Sequence, residues 1–102
     1  MHLVKEGRVL EEALTQDLDF DRYLLLGKTE KRIVNGLVQD GVGRTYAQIA
    51  QETGIPKQTI KNKMAVIREV LDVNNKFQAQ VFMHFLPEEI IQGGVQLEDT
   101  VA

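Results

Sequence analysis

The sequence contains no cysteine, no serine and no tryptophan, and these absences exclude several kinds of site. Without cysteine there is no disulfide scaffold, thiolate zinc site or cysteine-ligated iron–sulfur cluster. Without serine there is no serine nucleophile. The two histidines, His2 and His84, lie far apart in the sequence. We therefore predict that the protein is not an enzyme and that it needs no metal and no cofactor.

Proline is scarce, and no long hydrophobic run occurs. The two prolines, Pro56 and Pro87, each stand at a plausible helix boundary. No apolar run approaches the roughly 20 residues that a membrane-spanning helix needs, and the first residues do not form a signal peptide. The 102 residues, 43% hydrophobic and 26% charged, fit one globular domain. These features predict a soluble cytoplasmic protein.

Charge is distributed unevenly around a formal net charge of −3. Residues 26–86 carry nine basic and five acidic side chains, whereas residues 1–25 carry three basic and six acidic ones. Residues 87–102 carry four acidic side chains and no basic one. A basic centre between acidic ends is typical of a nucleic-acid-binding face with acidic flanks.

The spacing of apolar residues is mostly helical, and we find no convincing strand. We therefore predict an all-α fold, a tetrahelical helix-turn-helix domain with an extra N-terminal helix. Its parts are an acidic helical arm at 1–25, the domain at 26–86 and an acidic tail at 87–102. The predicted helices span residues 8–18, 28–39, 45–53, 57–71 and 75–86.

Several residues around Gly54 predict a helix-turn-helix. Thr45 and Gln48 have the spacing of a capping box, which begins a helix. Gly54 suits the left-handed position that ends it, and Pro56 suits the first turn of the next helix. Two short helices joined by such a turn can place the second helix in the DNA major groove.

The exposed side of the predicted helix 57–71 has the chemistry of a base-contacting surface. Residues 56–68 contain four basic side chains and no acidic one. Glutamine and asparagine can pair with adenine, lysine with guanine, and alanine can contact a thymine methyl group. The predicted base-contacting residues are Gln58, Lys61, Asn62 and Ala65.

These residues resemble those of LuxR/GerE-type helix-turn-helix regulators. Residues 55–63, IPKQTIKNK, are similar to the family's recognition-helix pattern I-S-E-K-T-V-K-N-H. Residues 26–34, LGKTEKRIV, resemble its opening L-T-P-R-E-R-E-V-L, and residues 71–76, LDVNNK, resemble its L-G-V-R-N-R link. The resemblance implies four helices, with the third in the major groove and the fourth at a dimer interface.

The resemblance also implies roles for single positions. Lys61, Asn62 and Ala65 fall where family members contact base edges, and Glu30 matches a structural glutamate. The residues expected to contact phosphate, from the resemblance, the charges or their place at a helix start, are Thr45, Tyr46, Lys57, Thr59, Lys63 and Arg68. The residues expected at the dimer interface are Phe77, Val81 and Phe85.

The sequence departs from the family pattern at several points. The loop 39–44 is about two residues longer than usual, and Ala65 is short where some relatives have a long polar side chain. Asp72 replaces a glycine, which predicts a strained backbone or a different turn. Only 25 residues precede the domain, so no phosphoacceptor or ligand-binding module fits there, and we expect a stand-alone regulator.

The leading hypothesis is a sequence-specific regulator of transcription that binds double-stranded DNA as a homodimer, associated with the bacterial nucleoid. The helix 8–18 could instead cover the apolar stripe that Phe77, Val81 and Phe85 form on the helix 75–86. The arm 1–25 could also bind another protein. One alternative is a module like region four of a sigma factor, because residues 45–50, TYAQIA, resemble its S-Y-E-E-I-A helix. Another is a protein-interaction helix-turn-helix that does not bind DNA.

Overall fold

The structure, a computed structural model, describes residues 15–92 and confirms the all-α prediction. Within this range the helices are accompanied by a single small sheet, and no helix is long and apolar enough to cross a membrane. The predicted helix 8–18 lies largely outside the described residues. The elements are a 3₁₀ helix at Phe20–Leu25, α1 at Lys28–Asn35, β1 at Val38–Gln39, β2 at Val42–Gly43, α2 at Tyr46–Thr53, α3 at Lys57–Leu71 and α4 at Lys76–Phe85.

Helix α3 is central, because its inner face meets the other helices. Ile60, Ile67 and Leu71 are fully buried, and Met64 is nearly so. The i, i+4, i+7 and i+11 spacing of these four residues in the sequence places them on one side of a helix, as observed. Each such side chain contributes about 1.5–3 kcal/mol when it leaves water, so α3 supplies much of the core.

The turn between α2 and α3 forms as predicted. The Thr45 hydroxyl accepts a hydrogen bond from the Gln48 amide at 3.1 Å, and the Gln48 side chain accepts one from the Thr45 amide at 2.8 Å. Gly54 ends α2 in the left-handed conformation with φ of 76°, where a side chain would be strained. Ile55 then enters the core.

The connection between α1 and α2 differs from the prediction of a helix to residue 39 followed by a loop. Helix α1 ends at Asn35, and the chain continues as a β-hairpin in which Val38 pairs with Gly43 and Gln39 with Val42. Asp40 and Gly41, the two residues of the turn, have φ of 53° and 77°. A type I′ hairpin turn has positive φ at both of its central residues, and Asp-Gly adopts these angles readily.

The hairpin is held against α4. The Gln80 side-chain amide donates to the Leu37 carbonyl at 3.3 Å, and the Arg44 amide donates to the same carbonyl at 2.9 Å. A Cβ on Gly43 would lie 2.7 Å from the Gln80 side-chain nitrogen, so the hairpin backbone and α4 approach closely. The hairpin backbone therefore packs against α4, although residues 39–43 remain exposed to solvent.

The core extends beyond the predicted domain limits of 26–86. Tyr23, in the 3₁₀ helix, is buried, and its hydroxyl donates to Asn35 Oδ1 at 3.1 Å. The ring of Phe20 packs on that of Phe82, with 5.1 Å between ring centroids. On the other side, Ile90 and Ile91 pack against the same core.

The joint between α3 and α4 contains the expected backbone strain. Asp72 lies in the left-handed region with φ of 58°, because its amide and that of Val73 turn back to the Glu69 and Arg68 carbonyls. Asn75 then caps α4, and its side chain accepts from the Gln78 amide at 2.9 Å. A non-glycine residue in this conformation costs roughly 1–2 kcal/mol.

Candidate nucleic-acid interface

The four predicted base-contacting residues lie together on the solvent side of α3. Gln58, Lys61, Asn62 and Ala65 are all exposed, whereas the opposite side of the helix is buried. The positions at i, i+3, i+4 and i+7 lie on one face of a helix, so these side chains can meet one ligand surface. The structure thus brings together the residues that the sequence predicted.

The side chains of Gln58 and Asn62 form a hydrogen bond with each other. Gln58 Nε2 donates a hydrogen bond to Asn62 Oδ1 at 3.1 Å across one turn of the helix. This bond was not predicted, although the i, i+4 spacing permits it.

The basic side chains near this face differ in their surroundings. Lys57 and Lys61 are exposed, and within residues 15–92 neither forms an ion pair. Lys63 instead lies 3.9 Å from the Glu30 carboxylate of α1, with 41% of its side chain exposed. Contact between Lys63 and a phosphate would therefore compete with this ion pair, whereas Lys57 and Lys61 are available.

The beginning of α2 forms a second polar region. The Thr45 hydroxyl is already engaged with the Gln48 amide in the capping box, which leaves the amides of Tyr46 and Ala47 without an intrahelical partner. Burial raises the pKa of Tyr46, and the nearby Arg68 guanidinium partly opposes this rise. The hydroxyl therefore stays protonated near neutral pH and can donate to an anion.

Lys76 also lies in this region, and it was not among the residues predicted to contact phosphate. Its ammonium lies 4.4 Å from the centroid of the Tyr46 ring. A cation in the first turn of a helix is unfavourable beside the positive end of the helix dipole. That unfavourable position is the signal in the sequence that could have pointed to a partner for Lys76.

Helix α3 begins without a side-chain cap. Pro56 occupies the N-cap position and offers no hydrogen bond, so the amides of Lys57, Gln58 and Thr59 have no intrahelical partner. Thr59 itself is half-buried. A helix start with free amides suits an anion, and Lys57 places a cation beside it.

The three residues predicted at a dimer interface differ in exposure. Phe77 is 63% exposed, Phe85 is half-buried and Val81 is only 8% exposed. They border a cleft of about 310 Å³ between α4 and the hairpin, whose lining contains no carboxylate, lysine or arginine. The lining residues are Val38, Gly41, Gly43, Phe77, Gln80, Val81, His84 and Phe85.

The other side of Phe77 faces the N-terminal part of the described chain. Asp17 and Leu18 line a second cleft of about 330 Å³ together with Phe77 and Val81. The end of the predicted helix 8–18 therefore lies beside Phe77 and Val81 of α4. This position agrees with the alternative in which the helix 8–18 covers these apolar residues. Most of the helix lies outside the described residues.

Within residues 15–92 no group of three His, Asp or Glu side chains is arranged to hold a metal ion. Comparison of the chain with models of known families, with curated proteins and with solved structures found no match.

Proposed function

We propose that this protein binds duplex DNA in a sequence-specific manner and regulates transcription, with α3 in the major groove. The observation that carries the proposal is the division of α3 into two faces. The inner face is buried through Ile60, Met64 and Ile67, and the outer face presents amides and ammonium groups. This division, together with the resemblance in sequence, supports a regulator of the LuxR/GerE type that acts on the bacterial chromosome in the cytoplasm.

The chemistry of the outer face suits base edges in the major groove. An α-helix fits this groove, where Lys61 can donate to guanine and Asn62 can pair with adenine. Ala65 is small enough for close contact with a thymine methyl group. We propose that discrimination between sequences comes from Gln58, Lys61, Asn62 and Ala65.

Affinity in this proposal comes from phosphate contacts on both sides of the groove. Lys57 and the free amides at the start of α3 form one contact region. Tyr46, Arg68 and Lys76 form another at the start of α2. Each neutralised phosphate contributes through release of counterions, so binding weakens with salt by a slope of about −0.9 per contact.

We further propose that a second copy of the chain covers the cleft between α4 and the hairpin. Phe77 is a large exposed aromatic residue at its edge, and such residues dominate the energetics of interfaces. A two-fold interface places a surface against itself, which a lining without carboxylates, lysines or arginines permits without like-charge repulsion. Such a dimer would bind a palindromic DNA site.

A mobility-shift experiment with a pool of random duplexes tests DNA binding. The wild-type chain should retain a subset of duplexes, and the double variant Lys61→Ala with Asn62→Ala should lose the preference for them. Gln51→Ala, an exposed change on α2, serves as the control. Unchanged binding by the double variant would exclude docking through α3, and no binding by the wild-type chain would favour a protein-interaction module.

Sedimentation over a range of concentrations tests the dimer. A monomer at high concentration would reject the proposed interface. A monomer that still binds DNA would favour the alternative that resembles region four of a sigma factor, which predicts monomeric behaviour.

A further inference from the structure

The hydrogen bond between the Gln58 and Asn62 side chains bears on how the outer face of α3 selects a base. Both residues are exposed, and Gln58 Nε2 donates to Asn62 Oδ1 at 3.1 Å. The two amides are therefore coupled before any ligand arrives.

The bond leaves one edge of the Asn62 amide unused. Asn62 retains both N–H donors of Nδ2 and a second lone pair on Oδ1, and within residues 15–92 none of these has another side-chain or backbone partner. The free edge thus presents a donor and an acceptor next to each other. The hydrogen bond from Gln58 holds Asn62 Oδ1 toward Gln58 and thereby orients the whole amide group.

The order of donor and acceptor decides which purine fits. Adenine presents N7 as an acceptor and N6 as a donor in the major groove, so it can pair with both groups of the Asn62 amide. Guanine presents two acceptors, N7 and O6, so the amide oxygen would face an acceptor in either orientation, whereas adenine pairs with the amide in one orientation only. An asparagine amide on its own can turn over about its terminal torsion, and the bond from Gln58 disfavours that rotation.

We propose that Gln58 is a positioning residue that orients Asn62, so that the two amides together specify a single A·T base pair. This inference rests on the proposed DNA binding through α3. In this arrangement Asn62 contacts the base, and Gln58 holds the Asn62 amide in its orientation. Lys61 and Ala65 remain the other base-contacting residues.

The test compares base preferences of single and double variants. Gln58→Met keeps the length of the side chain but removes its donor, and Gln51→Met is the matched control on α2. The starting duplex is the best binder selected from a random pool, and each base pair in it is then replaced in turn. Relative affinities are measured for the wild-type chain, Gln58→Met, Asn62→Ala and the double variant.

The wild-type chain should prefer adenine over guanine at one position by about 10-fold or more. Asn62→Ala should reduce that preference to below about 2-fold, and Gln58→Met should reduce the same preference by about 5-fold. The double variant should show the same preference for adenine as Asn62→Ala, because Gln58 cannot orient an asparagine side chain that has been removed. Gln51→Met should leave every preference unchanged.

Three results would overturn the inference while leaving DNA binding intact. They are a loss of preference at a different base pair in Gln58→Met, no change in that variant, or a wild-type chain without an adenine preference that depends on Asn62. A wild-type chain that binds no duplex would overturn the proposed function as well. Since both residues are exposed, thermal melting of the variants should match the wild-type curve, which separates loss of preference from loss of folding.

Discussion

The outward faces of α3 and α4 differ in nearly every physical property, although the two helices pack against the same core. The α3 face presents amides and ammonium groups and, over residues 56–68, no carboxylate. The α4 face presents mainly aromatic and aliphatic side chains around a cleft whose lining contains no carboxylate, lysine or arginine. A polar cationic face suits a hydrated polyanion, and a mainly apolar face suits another protein surface. The comparison favours different partners for the two helices.

The largest expected effect concerns the inner and outer sides of α3. Ile60→Ala removes a fully buried side chain, so the free energy of unfolding should fall by about 2–5 kcal/mol. Lys61→Ala, at the next and exposed position, should change it by less than about 0.5 kcal/mol. Urea denaturation of both variants measures the difference, and similar losses would contradict the two-faced arrangement of α3.

The α4 face is tested by Phe77→Ala. If a second copy covers this face, truncation of Phe77 should cost about 1–2 kcal/mol of association, or roughly a 5- to 30-fold weaker dimer. Leu25→Ala is the control, because Leu25 is 70% exposed and lies on the 3₁₀ helix. Sedimentation equilibrium measures both variants. Equal weakening by the two changes would show that the effect does not come from the α4 cleft.

The salt dependence of DNA binding distinguishes two lysines of α3. Lys57 is exposed and has no ion pair within the described chain, so Lys57→Ala should reduce the slope of log affinity against log salt by about 1. Lys63 already lies beside Glu30, so Lys63→Ala should reduce the slope by less. Binding titrations at several salt concentrations measure these slopes, and the reverse order would show that the Lys63 pair opens on DNA.

The smallest expected effect concerns the joint between the two compared helices. Asp72 has a left-handed backbone, so Asp72→Gly should raise the free energy of unfolding by about 0.5–1 kcal/mol. Asp72→Ala should not give this gain, because alanine keeps the strain. Thermal melting compares the two variants. A loss in Asp72→Gly would mean that the aspartate side chain stabilises the turn.

The sequence predicts those parts of the fold that depend on local rules. The capping box at Thr45, the left-handed turn at Gly54 and the exposed side of α3 follow from spacing and residue type, and all are confirmed. The hairpin was missed because the apolar pair of Leu37 and Val38 continued the helical spacing of α1. The adjacent Asp-Gly, a strong hairpin signal, carried the information that would have corrected the prediction.

The details of the candidate site were harder to predict for a different reason. The i, i+4 spacing of Gln58 and Asn62 allows a hydrogen bond, but spacing alone does not select which amide donates. The pair between Lys63 and Glu30 joins two helices, so it depends on how α1 packs against α3. The approach of Lys76 to Tyr46 likewise depends on tertiary packing, and its one local signal is the unfavourable place of a cation in the first turn of α4.

The hairpin has one more consequence through its contact with α4. Gln80 ties α4 to the carbonyl of Leu37, and Arg44, which follows the hairpin, forms an ion pair with Glu52 of α2. These two contacts connect α4 to α2 through the chain between Leu37 and Arg44. A protein bound to α4 would therefore lie next to the chain segment that leads into α2.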